Sequence, residues 1–404
     1  MGKLSIVLLF FVCSCKKENI DLGEVTLQFR LQQIADSMRV QMEKSVGFTV
    51  PGLHLYVQGP KGSFFVSSAP SFPEKITENH WHRFASITKL FTAAAILNMA
   101  EEGWLNINDK IIDKIPGSNT SYVPGGSAWD IPFKSEITIA QLMSHTAGIF
   151  DSDNDTVRAL GFSYTDYKLQ ANPFHPFTTD EYVGINARYQ LSYFEPGKGY
   201  HYSNVGYSML ATIISRIYTL KRGLSKTYAN YMEDIMIPAV PSTKGRIRFP
   251  DQAIDNIIPI PGSNGMIFRS KKDTTNMISY NPSLLVAQGN GQGTISAVHH
   301  WVRSTLKGEG ALTKATLQLM NSPFIPDYSR EEYTYGIQSF GSLGRGHSGA
   351  RAGNLTIAAY QPTTDISVYG YLPMWDISNG IQTLSENNLI PMYIALDLMA
   401  EAMR

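Results

Sequence analysis

Cysteine is nearly absent from this chain of 404 residues: Cys13 and Cys15 are the only two. Both lie in the first fifteen positions, so the remaining chain has neither a disulfide framework nor a catalytic thiol. A chain of this length can do without bridges, because its core is large enough. An excess of either charge is also missing. The 34 Lys and Arg residues balance 34 Asp and Glu residues. A nucleic-acid surface needs a clustered basic excess, so that class of partner is excluded. With no steering field, the expected partner is a small molecule, a peptide or a neutral polymer. Long apolar runs are lacking too. The run at residues 6–12 falls far short of the ~20 apolar residues that a spanning helix requires. No fixed-period repeat and no low-complexity linker stands out. What remains is 43% hydrophobic and 17% charged, enough for one large core or two closely packed lobes.

The apolar run at 6–12 follows Lys3 and has the size of a signal-peptide core. It ends at Val12-Cys13-Ser14-Cys15, followed by Lys16-Lys17. This resembles a bacterial lipobox, where the peptidase cuts before a cysteine that receives lipid. Cys15 is the expected lipidation site, because Ser14 supplies the small residue before the cut. The plainer alternative is an ordinary cleaved signal with two incidental cysteines. The expected organisation is a signal peptide at 1–14, a lipid-anchored tether and first helix at 15–45, and a folded domain at 46–404. The protein would then be exported and held to a bacterial membrane by its anchor.

Spacing along the chain predicts a first helix ending near residue 45, then a strand at 48–57. A neighbouring strand is expected at 63–66, joined by the turn at 59–62. Leu90, Ala93, Ala94, Leu97 and Ala100 recur at helical spacing, with Gly103 at the end and Ser86 and Lys89 in the first turn. Further helices are expected near 138–144, 205–218, 226–236 and 294–306. Strand character returns at 335–340, 355–360 and 366–371, and an amphipathic helix follows at 389–399. Strands at both ends with helices between them predict an α+β fold. One antiparallel sheet is built from both chain ends, flanked by helices, with a helical lobe inserted.

Three short motifs carry candidate chemistry. Ser86-Ile87-Thr88-Lys89 places a hydroxyl and an amine on one helix face. A serine hydroxyl needs a base to take its proton, and a lysine serves once burial lowers its pKa. Taken alone the spacing is weak, since Ser14…Lys17 and Ser304…Lys307 satisfy it as well. Tyr202-Ser203-Asn204 offers an acid/base phenol and an amide suited to a substrate amide. The bland reading is a loop and a helix cap, and Tyr228-Ala229-Asn230 repeats the spacing. His347-Ser348-Gly349 is read as lying just before a strand, with a cationic or hydrogen-bonding His347 facing the site. Gly349 would let a substrate backbone lie on the strand edge. The Ala350 N–H would join that of Ser86 as an oxyanion hole. Taken alone, a glycine-rich turn with a solvated histidine explains that motif better.

The order Ser-x-x-Lys, Tyr-x-Asn, His-x-Gly resembles the serine β-lactamase/penicillin-binding superfamily, in its branch of class C β-lactamases, DD-peptidases and esterases. Flanking segments strengthen the likeness. Phe84-Ala85-Ser86-Ile87-Thr88-Lys89 is similar to the nucleophile segment, and Leu142-Met143-Ser144-His145-Thr146-Ala147-Gly148-Ile149 to a second signature. Phe194-Glu195-Pro196-Gly197 with Tyr200-His201-Tyr202-Ser203-Asn204-Val205-Gly206-Tyr207 is similar to a third. The resemblance runs from about residue 48 to 375. It implies Ser86 as the acylated nucleophile and Lys89 with Tyr202 as the proton-transfer pair. Asn204 would be a substrate-amide ligand and His347 the third-motif residue. His347 stands where many β-lactamases have lysine, which favours a D-amino peptide or short ester over efficient β-lactam hydrolysis. The implied activity is a serine hydrolase working through an acyl-enzyme, with no metal or organic cofactor and no obligate protein partner. The rival reading is a non-catalytic binding or sensor module using the same pocket, which has no need of all three of Ser86, Lys89 and Tyr202.

His145 reads as a buried structural histidine. His80-x-His82 and His299-His300 read as surface histidines, because no third metal ligand follows at a telling spacing. Tyr369, Tyr371 and Trp375 read as core. Arg351 reads as part of an ordinary surface salt bridge, with a substrate carboxylate as the sharper alternative. Residues 237–290 show no familiar pattern.

Overall fold

The computed structural model describes residues 26–70, 75–322 and 333–404. The expected signal peptide and Cys15 lie outside the described residues. Six strands form the principal sheet: β1 (Leu53–Gly59), β2 (Gly62–Ser68), β3 (Gln338–Ser339), β4 (Arg345–Arg351), β5 (Asn354–Gln361) and β6 (Ile366–Leu372). Their order is β2-β1-β6-β5-β4-β3, and every pairing is antiparallel. The sheet is thus built from both chain ends, as the sequence predicts, with two strands closing against four where three were expected. The joining register sets His54 opposite Tyr371 and Val57 opposite Val368.

Side chains alternate across a strand, so each face of the sheet has its own set. Leu53, Leu55, Val57, Leu355, Ile357, Ala359, Val368 and Leu372 build one core. Against it lie α1 (Leu27–Val46) and the C-terminal helix α5 (Ile390–Met403). Helix α1 contributes Leu31, Ala35, Met38 and Met42 at helical spacing. Tyr56, Ala358, Tyr369 and Tyr371 point the other way, into a larger core. That core is filled by α2 (Thr88–Glu101), α3 (Asn204–Arg222) and α4 (Ile295–Lys307). Helix α2 is buried on nearly every side, which places its N-terminal turn between sheet and helical lobe.

Two strand predictions need correction. The run at 335–340 is extended only at Gln338–Ser339. Gly336 has φ +69°, and a Cβ there would stand 2.7 Å from the Lys89 carbonyl oxygen, so the chain turns tightly against α2 instead. The His-Ser-Gly motif does not precede a strand but lies inside β4. Its composition, Arg-Gly-His-Ser-Gly-Ala-Arg, hides the strand, because β propensity reflects packing context more than identity.

The histidines expected at the surface are buried. His82 Nε2 lies 2.5 Å from the Tyr369 hydroxyl, and His299 Nε2 2.8 Å from Ser367 Oγ. His80 is buried too, and only His300 keeps partial exposure. Tyr369 and Ser367 on the inner sheet face thus each give one nitrogen of the His82 and His299 rings a polar partner, and His80 Nδ1 accepts from Thr77 N at 3.0 Å. Tyr369 and Tyr371 are core, as expected, whereas Trp375 is half-buried at the rim of a cavity.

Candidate active site

Ser86 sits in a 3₁₀ turn, Ala85–Ile87, between a short strand (Trp81–Arg83) and α2. The turn is sharp: Ala85 has φ +49°, uncommon for a residue with a Cβ. Several contacts hold it there. The Phe84 ring stacks on Phe91 at 5.4 Å. The Phe84 carbonyl accepts from Thr356 Oγ1 at 3.0 Å, and the Ala85 carbonyl accepts from Thr88 Oγ1 at 2.7 Å. Ser86 is thereby presented to a cavity of about 320 Å³, whose lining includes Tyr202, Asn204, Gln288, His347, Ala350 and Arg351.

Lys89 follows on the first turn of α2 and is fully buried. Its Nζ donates to Gln288 O at 2.7 Å and to Asn204 Oδ1 at 2.8 Å, and it lies 3.2 Å from Ser86 Oγ. Burial pulls its pKa from 10.5 down to about 7, against the upward pull of Asp151 and Asp153. Loss of water thus outweighs attraction to two carboxylates.

Tyr202 packs beside this amine, its ring centroid 4.7 Å from Nζ. Burial holds its hydroxyl well above the usual phenol range, while a hydrogen bond with Ser86 acts the other way. Tyr202 is therefore a neutral phenol in contact with Ser86. Of the expected proton-transfer pair, only Lys89 titrates near neutrality.

Asn204 opens α3, capped by Ser203, whose side chain accepts from Gly206 N. Its Nδ2 donates to Asp153 Oδ2 at 2.9 Å. His145 holds the preceding turn from both sides. Its Nδ1 accepts from Ser203 N at 3.1 Å, and its carbonyl from His201 N at 3.0 Å. Its ring lies 4.2 Å from that of Tyr202. It is buried, with burial and Lys89 pushing its pKa well below 6.5, so it braces the motif as a neutral ring.

His347 lines the cavity but is almost wholly buried. Its Nδ1 lies 2.5 Å from the Ser348 carbonyl and must donate to it, so Nε2 accepts from the Tyr333 hydroxyl at 3.1 Å. Burial and Lys89 lower its pKa to about 3, so it faces the site as a neutral ring rather than as a cation.

Gly349 has a different neighbour from the one expected. A Cβ there would stand 2.4 Å from both the Phe84 carbonyl oxygen and Thr356 Oγ1. The glycine admits the nucleophile's own turn against the strand, not a substrate backbone. Ala350, the next residue, lines the cavity. Backbone groups of successive strand residues point to opposite edges, so those two residues apart share one. Ser348 N donates to Gln338 Oε1 at 2.9 Å, on the β3 side. The Ala350 N–H therefore points to that same edge, which β3 leaves open beyond Arg345–Gly346.

Arg351 is no surface salt bridge. Its side chain is 18% exposed and its partner Asp153 is 0% exposed, at 3.0 Å. It also donates to Tyr280 Oη at 2.6 Å and Asn154 Oδ1 at 2.8 Å. Burial and Asp153 raise the Asp151 carboxyl above the ordinary range. Asp151, Asp153, Tyr280, Gln288 and Tyr333 escaped sequence reasoning. Asp151-x-Asp153 follows the Ser-His-Thr segment directly, and that adjacency was the one available signal. Among the described residues no group of three or more His, Cys, Asp or Glu side chains could hold a metal ion.

Solved structures share this architecture. A D-stereospecific amidohydrolase from Streptomyces sp. superposes with a TM-score of 0.68 at 20% identity, over 89% of this chain and 97% of that one. The D-amino acid amidase of Ochrobactrum anthropi SV3, complexed with L-phenylalanine amide, gives 0.69 at 18% identity, over 93% and 98%. In sequence, penicillin-binding protein 4* of Bacillus subtilis (strain 168) is 30% identical over 163 residues, 40% of this chain and 29% of that protein. Protein flp of Staphylococcus aureus (strain NCTC 8325 / PS 47) is 30% identical over 138 residues, 34% and 23%. The chain thus matches less than a third of the length of these curated relatives. The family model described as Beta-lactamase matches residues 61–372, most of the sequence. A sheet closed by both chain ends, with a serine and a buried lysine at its edge, therefore has its family: this chain belongs to the Beta-lactamase family.

Proposed function

We propose that this protein is a serine hydrolase that works through an acyl-enzyme on an amide or ester carbonyl. The observation that carries the reading is the state of Lys89, whose buried amine lies 3.2 Å from Ser86 Oγ with a pKa lowered to about 7. An amine with that pKa is available as a base at neutral pH. As Ser86 Oγ bonds to the carbonyl carbon, its proton passes to Lys89 Nζ. The Ser86 and Ala350 N–H groups receive the oxyanion. Collapse expels the amine or alcohol, which takes a proton through the Tyr202 hydroxyl, and Lys89 resupplies Tyr202. Water, or an amine, then resolves the ester.

A D-amino amide or peptide, or a short ester, is the proposed substrate class. The fold shared with a D-stereospecific amidohydrolase and a D-amino acid amidase supports it. So does the neutral His347, which supplies no cation where many β-lactamases carry lysine. Export and lipidation at Cys15 belong to the same proposal, and the lipobox-like Val12-Cys13-Ser14-Cys15 supports them.

The test is intact mass after incubation with a fluorophosphonate and with a fluorescent penicillin, on wild type and Ser86→Ala. A phosphonate adduct on wild type alone is expected. Equal labelling of Ser86→Ala removes Ser86 from the mechanism. Failure of the wild type to react with either probe turns the reading to a non-catalytic binding module.

A further inference from the structure

Asn204 is shared between two partners of opposite demand. Its Oδ1 accepts from Lys89 at 2.8 Å and its Nδ2 donates to Asp153 Oδ2 at 2.9 Å. A carboxylate only accepts, so Asp153 fixes which end of the amide faces which way. Asp153 is itself fixed: its Oδ1 accepts from Thr165 Oγ1 at 2.6 Å and from Arg351 Nη2 at 3.0 Å.

This order matters at Lys89. A neutral lysine has two N–H bonds and one lone pair. The Gln288 carbonyl and Asn204 Oδ1 are acceptors only, and they lie closer to Nζ than Ser86 Oγ does. They take both N–H bonds, and the lone pair is left facing Ser86. With Asn204 turned over, its NH₂ would donate into that lone pair and block the base.

We propose that Asp153 is a positioning residue that holds the Asn204 amide so that the lone pair of Lys89 is aimed at Ser86. The inference rests on the reading of Lys89 as the base for Ser86. The charged groups acting on Lys89 are Asp151, Asp153 and Arg351. The rings facing it belong to His145, His347, Tyr202 and Tyr207.

The test uses the rate of Ser86 labelling by a fluorophosphonate, followed against pH. In Asp153→Asn the new amide must turn its oxygen to Arg351, which only donates. Its NH₂ then faces Asn204 and turns that amide over. Labelling is expected to slow about hundredfold, the scale of a lost general base. In the double variant Asp153→Asn/Asn204→Asp each hydrogen bond finds a donor and an acceptor again. Labelling is expected to return to within about tenfold of wild type, on the same scale. Its acid limb should move to higher pH, because a carboxylate beside Lys89 favours the charged amine. A merely structural Asp153 would not show the rescue, and the displaced limb reports that the new carboxylate stands beside Lys89.

Asp153→Asn labelling at the wild-type rate overturns the proposal. So does a folded double variant no faster than the single one. If the single variant fails to fold, the double variant carries the test alone, and a folded double variant more than about hundredfold slower than wild type overturns it. A wild type that never labels refutes the base reading itself, which separates the two failures.

Discussion

Gly349 of β4 meets Phe84 so closely that an added Cβ would stand 2.4 Å from the Phe84 carbonyl oxygen, two residues before Ser86. Strand and nucleophile turn are thus one packed unit. Gly349→Ala must push them apart, at a cost of about 1–3 kcal/mol as overpacking. Because a displacement near 1 Å can cost about hundredfold in rate, phosphonate labelling of Ser86 is expected to fall at least tenfold. Melting temperature and labelling rate are the measurements. Wild-type labelling in this variant would mean that the contact does not place Ser86.

The pH profile should follow Lys89. Only the neutral amine accepts the Ser86 proton, and its pKa is about 7. On an activated ester, kcat/KM is expected to rise with pH through about 7 and level off above it. An acid limb near the ordinary lysine value of 10.5 would show that burial does not tune this amine. The same group also affects folding. Between about 7 and 10.5 the folded chain binds fewer protons at Lys89 than the unfolded chain, so its contribution to stability rises with pH across that window.

Tyr333→Phe leaves His347 Nε2 without its donor inside the protein. A buried acceptor left unsatisfied costs about 1–3 kcal/mol. The expected result is a lower denaturant midpoint with an unchanged slope. An unchanged midpoint would show that water or another group replaces the phenol.

Acid should destabilise the fold through its buried histidines. His54 and His82 are held at about 3 by burial, from 6.5. Their folded pKa values lie below the unfolded value, so the stabilisation is fully present above 6.5 and is lost as pH falls from there towards about 3. Melting temperature is expected to drop between pH 7.5 and pH 4.5, and to drop less in His82→Gln. Equal drops in both proteins would place the acid sensitivity elsewhere, with the carboxylates as the next candidates.

The site was legible where its chemistry is local. Ser86 and Lys89 sit three residues apart, and a helical turn alone brings them together. Tyr202 and Asn204 likewise stand two residues apart, on either side of the Ser203 cap of α3. Asp153 was not legible, because its meaning depends on Asn204 and Arg351, distant in sequence and joined only by the fold. His347 was visible as a motif residue, but its neutral state depends on Tyr333 and on burial. Strand β4 was hidden by its glycines, one of which exists to admit the Phe84 carbonyl. The fold itself was readable because alternating apolar residues in β1, β5 and β6 mark both faces of the sheet. The burial of His82 and His299 was not legible because their partners, Tyr369 and Ser367, stand on β6, distant in sequence.

The pairing of His54 with Tyr371 and of Val57 with Val368 has a consequence for synthesis. Strand β1 (Leu53–Gly59) leaves the ribosome long before its partner β6 (Ile366–Leu372). Until then β1 and β2 form only a hairpin, with a row of unpaired N–H and C=O groups along one edge. Contacts so distant along the chain close slowly, because loop entropy must be overcome before they reward it. A nascent chain halted before residue 366 would therefore carry Ser86 and Lys89 but lack the central strand, and it would offer chaperones or its own copies an open edge.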